Sequence, residues 1–273
     1  MRWIVATVVA TAALVLVVLK AFENGIDDSG FCVATVGDRT VEVDVEQAKW
    51  AALMAAQAHE RGLPPRATTI AIATAYQESK IRNIDYGDRD SVGLFQQRPS
   101  QGWGTVEQIL DPVYSTGRFY DALAKIDDYE SMEITDAAQA VQRSGFPEAY
   151  ADHEADARVL ASALRGYSPA AFACATDPKA GSTAADLDAY LDQAWGGVRV
   201  DSDPSSGQHA IALTGDQIGT RGWALAQFLV ANSTEFRISE VTFDDMRWET
   251  GQDEPGWRPT RDASRTDVRF VRR

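Results

Sequence analysis

"RATTIAIATAYQES", residues 66–79, decides how the chain is read. It follows Pro64 and Pro65, which break the preceding pattern, and it is apolar nearly all round. Such a segment is expected to be a buried helix, because no polar face is left for water. At its end stand Glu78 and Ser79, and the chain then turns to "NIDYGDRDSVG", residues 83–93, which has loop composition. A carboxyl at the edge of an apolar surface ionises less readily than one in water, which suits it to give up a proton to a leaving oxygen. On residue type alone, a glutamate at a helix end is a solvated charge or a structural residue.

Outward from this helix, "DVEQAKWAALMAAQAHERGL", residues 44–63, reads as another helix with Asp44 as its N-cap and Ala51, Leu53, Met54 and Ala58 at helical spacing. Residues 35–45, "TVGDRTVEVDV", alternate, as a short strand or an extended lead-in would. Further helices are expected within 105–126 and 136–165, with no convincing strand between 46 and 166. Polar stretches then follow around 181–183 and 201–208, with "LDAYLDQAWG" as a short helix between them. The last sixty or so residues mix strand-like runs ("HAIALTG", "ISEVTFDD", "DVRFVRR") with one amphipathic helix. The predicted organisation is a membrane anchor or signal segment at 1–22, a mainly α domain at 30–176, a linker at 177–208 and a small α+β domain at 209–273.

Arg2 is followed by seventeen residues, Trp3 to Leu19, without charge or proline. As a helix they would reach about 26 Å, which fits a transmembrane anchor or a long signal-peptide core. Either places the rest of the chain outside the cytoplasm, at the membrane surface or in the cell wall. The two cysteines, Cys32 and Cys174, agree, since a pair in an exported chain is expected to be a disulfide, with two buried thiols as the alternative. The formal net charge of −14 disfavours a nucleic-acid partner. Composition, with 45% apolar and 24% charged residues, is that of an ordinary globular protein.

Glu78-Ser79 with Gly93-Leu94-Phe95-Gln96 beginning fifteen positions after Glu78, and Pro99 just beyond, resembles the signature of the soluble lytic transglycosylase and goose-type lysozyme-like family. "DPVYSTGRFYDAL", residues 111–123, and "AAQAVQRSG", residues 137–145, are similar to later family segments in the same order. The resemblance covers roughly residues 46–166. It implies a lysozyme-like fold, mainly α, and cleavage of the β-1,4 bond between N-acetylmuramic acid and N-acetylglucosamine in peptidoglycan strands, with no cofactor or metal. Glu78 is then the acid and base, and Ser79, Gln96, Gln97 and Gln142 help hold the site or its substrate. The family has a tyrosine against its catalytic acid; Val141 and Gln142 occupy that place, leaving Tyr150 and Tyr76 as replacements. Phe95 stands for the usual methionine.

Trp103, in "SQGWG", stacks on a sugar face or caps the core. Asp85, Asp88 and Asp90 are candidates for a second carboxylate that would position water, with turn residues as the plainer reading. Asp152, His153 and Asp156 fall within one helical turn and read as a solvated charged face rather than a metal site. The C-terminal stretch resembles a small domain of exported actinobacterial cell-wall proteins. That domain has histidines near its last strand; here the place reads Asp267-Val268-Arg269-Phe270, and no chemistry is assigned to it. A catalytically silent cell-wall binding or scaffolding module is the rival to the enzyme.

Overall fold

A computed structural model describes residues 30–143, 147–176, 187–203, 206–215, 218–252 and 254–272. The chain starts as a hairpin of β1 (Phe31–Val36) and β2 (Arg39–Asp44). Its two-residue turn needs a positive φ, which Gly37 supplies at +63°. β3 (Phe172–Ala175) pairs with the other edge of β1, giving the order β2-β1-β3. Cys32 and Cys174 lie directly opposite in that register and form the disulfide.

Between β2 and β3 lies the helical body. Asp44 caps α1 (Val45–Glu60) in a reciprocal capping box with Gln47. α2 (Pro65–Ser79) begins with proline at its first position and ends where Lys80 turns left-handed, φ 57°. Its alanines let α6 (Glu154–Leu164), α1, α5 (Ile134–Gln142) and α4 (Pro112–Leu123) pack closely around it. A short helix, α3 (Val106–Ile109), precedes α4, and a 3-10 turn, Pro147–His153, precedes α6.

Beyond the disulfide, α7 (Leu187–Trp195) and α8 (Ile218–Ala231) both pack on α1. β4 (Asp201–Asp203), β5 (Gln208–Ala212), α9 (Ser233–Phe236), β6 (Ile238–Phe243), β7 (Met246–Glu249), β8 (Arg258–Pro259) and β9 (Asp267–Arg272) complete the chain. The strands form one antiparallel sheet in the order β4-β5-β9-β6-β7-β8. This sheet shares a continuous apolar core with the helical body. Gln227 of α8 accepts from the Phe172 N–H and donates to the Ala163 carbonyl. Trp248 donates its indole N–H to the Cys174 carbonyl, and Trp257 donates to that of Phe172. Trp223, Trp248 and Trp257 are therefore core and seam residues.

The expected fold class, a mainly α lysozyme-like domain with a small α+β domain after a transmembrane helix, is corrected here. Among the described residues, two antiparallel sheets, of three and six strands, stand beside the helices. The three-stranded sheet was not legible locally: β3 is Phe-Ala-Cys-Ala, without alternation, and its partner β1 is some 140 residues away in the chain. Residues 3–19, expected to span a membrane, lie outside the described residues. Among the described residues no helix is long and apolar enough to cross one.

Candidate functional site

Glu78 occupies the last turn of α2, half-buried, where the helix macrodipole disfavours negative charge. Helix stability therefore gives no reason for an acid at this position. The 3-10 turn Pro147–His153 crosses this end of α2. It is fastened there by His153, whose ring stacks on Tyr76 with centroids 4.9 Å apart and whose Nε2 lies 3.0 Å from Gln77 Oε1. Burial holds the His153 imidazole below its ordinary pKa. Tyr150, fully buried, is thereby set to donate its phenolic hydrogen to Glu78 Oε1 at 2.6 Å. Of the two replacement tyrosines, Tyr150 makes this contact, while Tyr76 stacks on His153. Among the described residues no cation pairs with Glu78. The arginine four positions on, Arg82, turns instead to Asp44 and Glu46.

The turn at residues 93–96 is held against Glu78's neighbour. Ser79 Oγ donates to the Leu94 carbonyl at 2.7 Å and accepts from the Arg82 N–H at 3.1 Å. Gly93 has φ 79°, and a Cβ there would come within 2.8 Å of the Ile109 carbonyl, so both conformation and space call for glycine. Leu94 and Phe95 are fully buried, and Phe95 stacks on Phe119 of α4 at 4.5 Å. Gln142, at the end of α5, donates to the Phe95 carbonyl at 2.7 Å. Gln96 donates to the Tyr86 carbonyl at 3.2 Å and pins the preceding loop.

Ser79 and Gln96 thus build the turn. Gln97 is 2% exposed and donates to the Ser115 carbonyl at 3.1 Å. The sequence sets Gln97 beside Gln96 in contacting substrate; in the structure its side chain is buried against α4. Gln96 ends the turn with a left-handed φ of 47°, and Gln97 then pairs with Val92 in an isolated bridge.

The three aspartates do not join Glu78 in any hydrogen bond. Asp85 and Asp88 are exposed. Asp90 accepts from the Ser100 N–H at 2.8 Å, the Ser100 hydroxyl at 3.0 Å and Arg98 Nε at 3.1 Å. Those Ser100 and Arg98 donors hold the Asp90 carboxyl down to about 2, as befits a structural anion.

Beside the turn is a cavity of about 590 Å³ between the loop at 101–103, α4 and the end of α5, lined among others by Trp103, Arg118, Asp121, Lys125, Gln142 and Arg143. Trp103 is half-buried and its carbonyl accepts from Tyr114 Oη at 3.0 Å, so the indole forms part of a wall. Glu78 is not among the lining residues; its neighbour Ser79 is tied to the turn at Leu94, and the lining residue Gln142 to the same turn at Phe95. Arg118, Asp121 and Lys125 were not singled out by sequence. The available signal was an arginine in mid-helix, directly before the buried Phe119. Comparison with protein-family models and with characterised proteins finds no match for the chain.

Proposed function

We propose that the chain cleaves peptidoglycan as a muramidase of the lytic transglycosylase kind, with Glu78 as general acid and then general base. The observation that carries this reading is the Glu78–Tyr150 contact: a half-buried carboxyl held at 2.6 Å by a phenol and, among the described residues, by no cation. In the proposed reaction Glu78 protonates the oxygen between N-acetylmuramic acid and N-acetylglucosamine. The bond from C1 to that oxygen breaks. The muramyl 6-hydroxyl then attacks C1 while the Glu78 carboxylate takes its proton, which closes an anhydro ring and restores the acid. One carboxyl suffices, in keeping with aspartates engaged elsewhere or exposed. Tyr150 positions the carboxyl through Oε1, which leaves the second oxygen for the travelling proton. The disulfide supports a site of action in an oxidising compartment outside the cytoplasm.

One observation favours the rival, a non-catalytic cell-wall binding or scaffolding module: the cavity beside the turn is not lined by Glu78. The two readings separate when the full chain is incubated with sacculi and soluble products are read by mass spectrometry. Anhydromuropeptides from the wild type, lost with Glu78→Gln, are expected for the enzyme. Pelleting on sacculi without release of products, unchanged by Glu78→Gln, would establish the binding module instead.

A further inference from the structure

The cavity between α4 and α5 is cationic in a protein of net charge −14. Arg118, Lys125 and Arg143 line it against a single acid, Asp121. Among the described residues none of the three cations enters an ion pair. Lys125 follows the C-terminus of α4 and Arg143 is the C-cap of α5, positions where a cation is favoured by the helix dipole in any case. Arg118 has no such reason, because it lies in the middle of α4. Its Nε is buried and has no hydrogen-bond partner among the described residues. A guanidinium on a cavity wall with no carboxylate partner of its own is a ready donor to an arriving carboxylate oxygen. The same wall carries the Trp103 indole and the Gln142 amide, groups that suit a sugar face and an acetamide. The volume is that of a small-ligand site.

We propose that this cavity is a recognition subsite for the carboxylate on the muramyl side arm of the glycan, with Arg118 as its main ligand and Lys125 as support. The carboxylate has two sources, the lactyl acid of the sugar itself and the acidic residues of the peptide attached to it. The subsite rests on the reading of the chain as a peptidoglycan-acting protein. It gives that protein a means of preferring peptidoglycan over a neutral β-1,4 glycan of the same backbone.

The test uses the full chain carrying Glu78→Gln, so that ligands are not consumed, titrated by calorimetry with three probes. These are an N-acetylglucosamine oligomer, a peptide-free glycan with its lactyl acids, and the same glycan bearing acidic peptides. Binding of the carboxylate-bearing probes is expected to be about tenfold tighter than that of the neutral oligomer, and Arg118→Gln is expected to abolish the difference while Arg118→Lys restores part of it. Whether the peptide-free probe already shows the full preference identifies the source. Lys125→Gln, at an exposed side chain, is expected to reduce the preference by a smaller factor and decides the matter if Arg118→Gln does not fold. A preference unchanged in these variants, or an equal loss for neutral and charged probes, overturns the subsite while leaving cleavage intact. A parent that binds none of the three overturns the proposed function and the subsite with it.

Discussion

Two acidic side chains separated by one loop, Glu78 and Asp90, are held in opposite ways. Asp90 receives an amide, a hydroxyl and a guanidinium, and is kept ionised down to about 2. Such a carboxylate is a structural anchor for the loop and a poor source of protons. Glu78 receives one phenolic hydrogen from a buried tyrosine, at a helix end whose dipole works against its charge. The difference teaches that an acid's capacity for chemistry is set by its donors more than by its position near a motif.

The largest effect expected from this contrast is on turnover. Glu78→Gln should lower the release of muropeptides by about 10²–10⁴-fold, the usual worth of a general acid. The same change should leave the thermal midpoint nearly unchanged, because the glutamine amide oxygen can still accept from Tyr150. Asp90→Asn should do the reverse, lowering the midpoint while the chemistry continues. Equal behaviour of the two variants in both assays would erase the distinction.

Tyr150→Phe sharpens it. Loss of the hydroxyl should reduce kcat about tenfold or more with little change in KM, at a stability cost of about 1–2 kcal/mol by denaturant melting. Ser79→Ala should cost about 1–3 kcal/mol, since it removes the buried link from α2 to Leu94 and the acceptor of the Arg82 N–H. Its effect on activity should follow the loosening of the turn.

A pH slope completes the set. Burial lowers the pKa of His59 to about 4, and Arg165 and Arg221 add to this. Because the folded value lies below the ordinary 6.5, the unfolded chain binds the proton more readily, and stability falls as pH drops from about 6.5 towards 4. His59→Gln should flatten that part of the stability curve, by at most about 3 kcal/mol and less for the portion of the ring that stays wet. His153, also lowered, acts in the same direction on the fastening beside Tyr150.

Much of the helical body was legible because its signals are local. Asp44 is an N-cap by residue type and place, Pro65 opens α2, and the alanine-rich run of α2 buries itself as its composition requires. What was not legible depends on distant pairing. β3 carries no alternation and is defined by β1 across the whole helical body. The choice between Tyr150 and Tyr76 lay open because the Tyr150–Glu78 contact joins residues 72 apart and no periodicity encodes it. Arg118 escaped notice for a related reason: its meaning comes from a missing acceptor, which only packing reveals.

The most direct test of a single-carboxylate reaction is to digest sacculi with the full chain in heavy-oxygen water and to read the released ends by mass spectrometry. The expected result is anhydromuramyl ends without the heavy isotope, absent with Glu78→Gln. Reducing ends carrying the isotope would mean that water, positioned by a second group, makes the attack. An absence of released fragments would contradict catalysis by Glu78 altogether.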